Sequence, residues 1–439
     1  MKYSIALIFI AAVMIIPGWN YPDAASRSGQ FVHRLAELQR RGSCSELARF
    51  GVSTHQGRNS DDTNIRLVTD VGANIVRFDV FWNLVEMGGR FDFGRYDKLI
   101  EGLRSRGKMV LLILDYEHPD HSDGVTEDGA RLPPRTTEQR NAFYRFVQMV
   151  VRRYHGPDVA YQIWNEPNMH WAPKPLAQEY GKLLAGAGKV IKDIAPNAII
   201  VAGGIANEPN RDAYLNELIT TQSLDHINAL ALHPYRPDGP ENSLFDIAEF
   251  ESVAARGRAS LPLWLTEWGY SERWFAKTFS PNELPKRQAI MVSRLMLTAA
   301  IAKTKAAILY DLIDDGIDAT NYEHHFGLYD YEFKPKKAAA AFRNLVMIME
   351  KCDNYEFKFD GRKKLIFGAF ANGERTFHVV WTYDTRRKQE ICLDVGPYRI
   401  ISLTNVYGEN LVLQTCHDGS QAKLSIAESS GPLILRVDK

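Results

Sequence analysis

The chain has 439 residues, of which 45% are hydrophobic and 11% aromatic. This is ample for a large core and too long for one ordinary domain unless that domain is a barrel. Lys plus Arg and Asp plus Glu number 53 each, so the formal net charge is zero, and the composition does not favour a protein that binds nucleic acid or another polyanion.

The N-terminus has the pattern of a secretory signal. Lys2 precedes a nearly unbroken apolar run from Ser4 to Ile16, which a Pro-Gly pair ends. A run of about 13 residues is short for a transmembrane helix and suits the apolar region of a signal peptide. We expect residues 1–25 to be a signal peptide, with an uncleaved inner-membrane anchor as the alternative. The protein is then periplasmic or secreted.

After a lead-in segment at residues 26–47, residues 48–351 alternate short apolar strands with amphipathic helices. Such strands indicate a parallel sheet, and eight repeats over about 300 residues predict closure into a (β/α)8 TIM barrel. A doubly wound open sheet is the alternative, but no Gly-rich phosphate loop follows strand one. The predicted strands one to eight are Phe50–His55, Asn74–Val80, Met109–Tyr116, Val159–Trp164, Ala198–Gly203, Ala229–His233, Leu261–Glu267 and Ala306–Leu312.

Residues 352–439 have a different pattern, in which short alternating strands are separated by Gly, Asn or Asp turns. This predicts a small antiparallel β-sandwich domain, a stabilising appendage rather than a sugar-binding module. The predicted strands are Phe357–Phe359, Lys364–Phe370, Thr376–Tyr383, Glu390–Leu393, Arg399–Thr404, Leu411–Leu413 and Leu433–Val437.

The four cysteines fit an exported protein with up to two disulfides. Cys44 precedes the barrel and Cys352 follows it, whereas Cys392 and Cys416 both lie in the C-terminal segment. Of the three pairings we favour Cys392 with Cys416, which stays within one domain; free buried thiols are the alternative. The chain has no Cys-x-x-Cys pair, so a zinc or redox motif has no support.

Two of the predicted barrel strands end in a glutamate. Strand four runs into Trp164-Asn165-Glu166-Pro167, and strand seven runs into Thr266-Glu267-Trp268-Gly269. An unpaired carboxylate is costly in a core but belongs at the C-terminal mouth of a barrel, where active sites are built. Two carboxyl groups are also the equipment for hydrolysing a glycosidic bond, one as acid and one as nucleophile or base.

Further polar residues lie at other strand ends. Arg77, within an apolar strand, needs an anionic partner, either Glu267 or a nearby structural carboxylate. Asn165 offers a hydrogen bond to a sugar hydroxyl, and His233 and Tyr235 end strand six. A satisfied structural histidine is the alternative for His233.

Aromatic side chains near the mouth are candidates for stacking on sugars, with plain core packing as the alternative. The candidates are Trp171, Trp268, Trp274 and Tyr310. The polar loop at residues 115–121 is interpreted as contacting substrate rather than a metal ion, because its spacing matches no coordination geometry. We predict no metal and no cofactor.

These motifs resemble those of the large clan of retaining β-glycosidases with paired glutamates on strands four and seven. The matching pieces are Trp-Asn-Glu-Pro at 164–167, Thr-Glu-Trp-Gly at 266–269, His-Pro-Tyr at 233–235, and the stretch from Arg77 to Asp92. More narrowly, the chain resembles glycoside hydrolase family 39 and, within it, the PslG-type enzymes of bacterial exopolysaccharide operons. The resemblance covers residues 48–350, and the C-terminal domain only in arrangement.

The resemblance implies that Glu166 is the acid/base, that Glu267 is the nucleophile partnered by Arg77 and Tyr235, and that Asn165 contacts the sugar 2-hydroxyl. It implies a retaining endo-β-glycosidase that hydrolyses a polysaccharide, a bacterial exopolysaccharide, through a covalent glycosyl-enzyme intermediate. Association with the inner membrane and with an export complex would follow. The alternatives are a non-catalytic carbohydrate-binding scaffold of such a complex and a transglycosylase. For a retaining enzyme the two carboxyl groups should lie about 5–5.5 Å apart.

Overall fold

The structure is a computed structural model that describes residues 40–55, 59–126, 131–220, 222–257, 261–383, 388–416 and 421–439. The predicted signal peptide or anchor, and the lead-in segment up to residue 39, lie outside the described residues.

Eight parallel strands form a closed barrel in which each strand pairs with its neighbours in chain order. The predicted barrel is therefore confirmed. The eighth strand ends at Leu309 rather than Leu312, so Tyr310 and Asp311 begin the loop above it. Barrel strands one to eight are Arg49–Ser53, Ile75–Phe81, Met109–Asp115, Val159–Asn165, Ile199–Ala206, Leu230–His233, Leu263–Trp268 and Ala306–Leu309.

A long helix follows each barrel strand, and local sequence determines where several of them begin and end. Ser60 caps the first helix by accepting a hydrogen bond from the Thr63 N–H, and Gly72 ends it in the left-handed region at φ 75°. Within the described ranges, none of the helices is both long and apolar enough to cross a bilayer. The eight helices are Asp61–Val71, Gly94–Arg104, Thr137–Arg153, Ala177–Ile194, Arg211–Ile219, Ser243–Ala254, Leu284–Ala302 and Lys337–Lys351; a short helix, Trp82–Val85, follows strand two.

The C-terminal region contains two antiparallel sheets that share an apolar core. The six-stranded sheet has the spatial order Arg40–Ser43, Asn354–Asp360, Leu365–Asn372, Arg375–Thr382, Leu433–Asp438, Arg399–Asn405. The three-stranded sheet has the order Gln389–Asp394, Gln421–Ile426, Gln414–Thr415. The first strand of the larger sheet, Arg40–Ser43, comes from the end of the predicted lead-in segment, so these four residues belong to the fold.

Two predictions within this region are wrong. Leu411–Leu413 is not a strand, and its central residue Val412 is 83% exposed. The strand Gln421–Ile426 was not predicted, although Ala422, Leu424 and Ile426 alternate inward and are fully buried. An alternating strand of six residues gives a weaker signal than a run of three apolar residues, which explains both errors.

One disulfide and a buried ionic network fasten the C-terminal region to the barrel, and a second disulfide lies within that region. Cys392 pairs with Cys416, which confirms the favoured pairing, and Cys44 pairs with Cys352 across a sequence separation of 308 residues. The network is centred on Glu241, which is 2% exposed. Its carboxylate accepts two hydrogen bonds from the Arg294 guanidinium, at 2.6 and 2.8 Å, and one from the indole N–H of Trp381 in the C-terminal sheet, at 2.7 Å.

Candidate active site

Glu166 follows directly on strand four and lies buried at the mouth of the barrel, with 5% of the residue exposed. Trp164 and Glu166 have positive φ angles of 68° and 45°, which are uncommon outside glycine and cluster at functional sites. One carboxylate oxygen, Oε1, lies 2.8 Å from Nδ1 of His233, and the other, Oε2, lies 3.2 Å from Nε2 of His170. Both oxygens of this carboxylate are therefore held by imidazoles.

Glu267 belongs to strand seven and is 6% exposed. Arg77, from strand two, donates a hydrogen bond of 2.8 Å to its Oε2, and the Tyr235 hydroxyl donates one of 2.9 Å to its Oε1. Arg77 also donates to Asn165 Oδ1 at 2.7 Å. The open question about the partner of Arg77 is thus answered by geometry: it is paired with Glu267.

The two glutamates face each other across the barrel mouth. One carboxylate oxygen of each, together with one ring nitrogen of His233, lies within 4.8 Å of the others. Retaining glycosidases have their two carboxyl groups about 5–5.5 Å apart, whereas inverting ones leave about 6.5–9.5 Å for a water molecule. A separation of at most 4.8 Å between these two oxygens lies on the retaining side of the two ranges.

His233 links the two strands that end in the glutamates. Because a carboxylate only accepts, Nδ1 must donate to Glu166, and the Thr266 hydroxyl then donates to Nε2 at 2.9 Å. The imidazole packs against Gly204 of strand five so closely that a Cβ there would lie 1.9 Å from Nε2. Glycine at position 204 is therefore required for the ring to fit.

The contacts on the Glu166 side of the site favour an ionised carboxylate next to a protonated imidazole. Burial alone would raise the pKa of Glu166, but hydrogen bonds from His170 and His233 outweigh it and hold the pKa below its ordinary value. Burial lowers the pKa of His170, but the contact with Glu166 outweighs it, so the net pKa is raised. The Glu166 carboxylate and the His170 imidazole therefore stabilise each other's charged forms.

In the loop at residues 115–121, one side chain contacts the candidate site and two others pack against Glu86. The Tyr116 hydroxyl accepts a hydrogen bond of 3.1 Å from Asn165. His118 and His121 instead turn towards Glu86, with contacts of 2.9 Å to its backbone oxygen and 3.4 Å to its carboxylate. Tyr116 is therefore the member of this loop that contacts a predicted site residue directly.

A second ionic cluster lies between the loops that follow strands eight and one. His55 Nε2 is 3.5 Å from Asp311 and 3.7 Å from Asp315. Burial lowers the pKa of His55, but the two carboxylates outweigh it and raise the pKa to about 10. Nearby, Glu323 has both carboxylate oxygens buried without a hydrogen-bond partner among the described residues, and burial, followed by the charge of Glu267, raises its pKa to about 9.

Two groups of residues have the spacing that a metal ion accepts. They are His55, Asp311 and Asp315, and Glu166, His233 and Glu267. In both groups the ion pairs and hydrogen bonds described above account for the positions of the side chains without an ion. Within the described ranges, the loop at 115–121 contributes to neither group.

The predicted stacking aromatics need a correction. Trp171 is 0% exposed and packs edge-on against Trp164 and Tyr180, while Trp268 is 1% exposed and belongs to the main core. A fully buried ring has no face for a sugar, so both residues support the site from beneath. Tyr310 is 4% exposed, and its hydroxyl donates to Asp315 at 3.2 Å. Of the four candidates, Trp274 alone is partly exposed, and it packs against Phe326.

Several residues at the site were not predicted from sequence. His170 and Glu323 gave no strand-end signal, because both lie outside the barrel strands, and His55, the last residue of predicted strand one, was not singled out. For His170 a signal existed: it stands four residues after Glu166, the spacing at which side chains meet on a helical turn. The backbone makes that turn, since the N–H groups of Met169 and His170 both donate to the Glu166 carbonyl at 2.8 Å.

Solved glycosidase structures resemble this one. A family 39 glycoside hydrolase from Bacteroides cellulosilyticus WH2 aligns with a TM-score of 0.72 and 21% identity over 90% of this chain and 82% of its own. A family 39 enzyme from Xanthomonas axonopodis pv. citri aligns with a TM-score of 0.64 and 14% identity, covering 92% and 96%. A family 30 endoxylanase from Clostridium papyrosolvens C71 aligns with a TM-score of 0.61 and 13% identity, covering 91% of this chain and 98% of its own. At these identities the likeness shows the fold alone.

The sequence itself matches one family profile. Among curated proteins no sequence matches the chain. The profile described as "Cellulase (glycosyl hydrolase family 5)" matches residues 41–284, more than half of the chain, and includes both glutamates. Family 5 is part of clan GH-A, whose barrel fold is that of retaining enzymes. The chain is therefore a glycoside hydrolase, and it belongs to the cellulase family, glycosyl hydrolase family 5.

Proposed function

We propose that this glycoside hydrolase is a retaining endo-β-glycosidase in which Glu166 is the acid/base and Glu267 the nucleophile. The observation that supports this most is the spacing of the two carboxylates, with one oxygen of each within 4.8 Å. The two glutamates have different hydrogen-bond partners, and this difference supports different roles for them. Glu267 is held by a guanidinium and a phenol, which keep a carboxylate charged, and Glu166 by two imidazoles, which exchange protons.

The proposed reaction has two steps. In the first, Glu166 protonates the glycosidic oxygen while Glu267 forms a bond to the anomeric carbon, and the aglycone leaves as an alcohol. In the second, Glu166 removes a proton from water, which attacks the same carbon and frees Glu267. Asn165 lies between Arg77 and Tyr116, where its amide can hold the 2-hydroxyl of the sugar during both steps.

For the substrate we propose a polysaccharide, and in particular a bacterial exopolysaccharide. This rests on the resemblance of the motifs to those of PslG-type members of family 39; the two solved family 39 structures share the barrel fold. Acceptors such as Glu323 suit a sugar whose hydroxyls donate hydrogen bonds. Export across the inner membrane, retention there by the N-terminal segment, and contact with an export complex belong to the same proposal.

The test is reducing-end release from a panel of bacterial and plant β-linked polysaccharides, with Glu267→Gln as the matched inactive variant. We expect release by the wild type alone, with fragment sizes that identify endo action. Proton NMR of the first product should show the anomeric configuration of the substrate, and a 2-deoxy-2-fluoro glycoside should label Glu267, as read by mass spectrometry. Inverted product would refute the nucleophile assignment, and longer products than substrate would indicate a transglycosylase.

A further inference from the structure

His170 lies at the edge of the site, in the loop after strand four. Its Nε2 atom is 3.2 Å from Oε2 of Glu166, the oxygen that His233 does not hold. The His170 side chain is 25% exposed and that of Glu166 only 6%. The imidazole therefore stands between the buried carboxylate and the solvent, where protons can be exchanged.

Carboxylates from several elements surround this imidazole. Glu117 from the loop after strand three, Glu208 from the loop after strand five and Glu267 on strand seven interact electrostatically with it, in addition to Glu166. Burial raises the pKa of Glu117 to about 7, and burial together with the charge of Glu166 raises that of Glu208 to about 7. A ring of acidic groups around one imidazole favours its protonated form.

We propose that His170 is a positioning residue that holds the proton which Glu166 delivers to the leaving group. This inference rests on the proposed function, because it requires Glu166 to be the acid/base. It explains how a carboxylate that is ionised at rest can act as an acid: the pair keeps one proton in common, and the two groups titrate together.

The proton balance closes over one turnover. At rest, His170 is an imidazolium and Glu166 a carboxylate. As the glycosidic oxygen gains charge, the proton passes from Nε2 to Oε2 and on to that oxygen, which leaves a neutral imidazole, a carboxylate and a free alcohol. When water attacks the intermediate, its proton goes to Glu166 and returns to His170, so the pair ends as it began.

The kinetic test uses His170→Gln, which keeps an N–H donor near the position of Nε2 but cannot store a proton. The probes are the phenyl and 2,4-dinitrophenyl β-glycosides of one sugar, chosen by screening glucoside, xyloside, galactoside and mannoside with the wild type. For the phenyl glycoside we expect the alkaline limb of kcat/KM to move to lower pH by about one unit or more, with about a tenfold loss at pH 8. The dinitrophenyl glycoside, whose leaving group needs no proton, should change by less than about twofold.

The matched control is His155→Gln, at an exposed histidine just before strand four, at the opposite end of the barrel from the glutamates. It should leave both pH profiles unchanged. An equal loss with both substrates, or an alkaline limb that does not move in His170→Gln, would overturn the role of His170.

A second measurement needs no substrate. Nitrogen-15 NMR of the His170 imidazole should show titration above the ordinary histidine range in the wild type, and at least about one unit lower in Glu166→Gln. The same midpoint in both proteins would overturn the proposal. If the wild type hydrolyses no glycoside, the proposed function fails together with this role; if it does and only the alkaline limb fails to move, the role of His170 fails alone.

Discussion

Replacing Arg77 tests the assignment of the nucleophile most directly. The guanidinium is 3% exposed and makes hydrogen bonds of 2.8 Å to Glu267 and 2.7 Å to Asn165. In Arg77→Met the Glu267 carboxylate keeps the hydrogen bond from the Tyr235 hydroxyl, with Nδ1 of His233 3.9 Å from its Oε2. Removing one member of a buried ion pair costs about 3–5 kcal/mol, because the remaining charge is uncompensated. A buried carboxylate avoids that cost by taking up a proton, and a protonated Glu267 is no nucleophile.

At 1.36 kcal/mol per factor of ten, this corresponds to a loss on the order of 10²- to 10⁴-fold in kcat/KM at pH 7. The assay is release of nitrophenol from an aryl β-glycoside, with circular dichroism to establish that the variant is folded. Arg77→Lys keeps the charge without the forked geometry and should lose about tenfold. Arg104→Met, at a partner of Asp158 remote from the glutamates, should keep full activity. A folded Arg77→Met that retains more than half of the wild-type kcat/KM would refute the reasoning.

Three further predictions follow from single contacts. Tyr235→Phe removes a hydrogen bond to the Glu267 carboxylate and should lower kcat/KM roughly tenfold or more, since hydrogen bonds to charged groups are worth about 1.5–3 kcal/mol. Tyr310→Phe is the control, and equal losses of kcat/KM in the two variants would contradict the prediction. Glu323→Gln should be more stable than the wild type at pH 8 and equal to it at pH 4 in guanidinium melts. Because the pKa of Glu323 is raised in the folded state, the folded protein binds more protons than the unfolded chain between pH 4 and pH 8, so the stability of the wild type falls as pH rises. A stability difference that does not depend on pH would disprove this. Replacing Cys44 and Cys352 together by Ser should cost on the order of 5 kcal/mol of folding free energy. The same change at Cys392 and Cys416 should cost less, because that bridge closes a shorter loop. A larger loss of stability at Cys392 and Cys416 in denaturant melts would refute this.

The barrel could be predicted because its strands are buried on both faces. A strand such as Met109–Asp115, in which every residue is buried, must be an unbroken apolar run, and the turns around it are marked by glycine and charge. The two glutamates were equally accessible to prediction, since each interrupts the apolar pattern at a strand end, where a core would not tolerate it. At these positions the hydrophobic periodicity and the energetic cost of burying a charge lead to the same prediction.

The aromatic residues could not be assigned in this way. Trp171 and Trp268 lie next to the glutamates in sequence, yet they pack beneath the site, and Trp274 lies further along the chain and stays partly exposed. Sequence neighbours of a catalytic group alternate between the cavity and the layer that supports it, and only the tertiary structure decides which face a large ring takes. Burying an indole ring is favourable both in the cavity and in the layer that supports it, so the presence of a tryptophan does not show which of the two it occupies.

The two glutamates are alike in sequence context but not in what holds them, and this difference explains how one carboxyl group can act as acid while the other remains charged. Arginine does not lose its proton in proteins, so Arg77 presents a permanent positive charge to Glu267 at 2.8 Å, where the proposed nucleophile needs a negative one. Histidine can hold or release a proton near neutrality, so in our proposal His170 supplies Glu166 with a proton in one step and accepts it in the next. The partners of the two carboxylates therefore support the proposed roles, in which Glu166 is the acid/base and Glu267 the nucleophile.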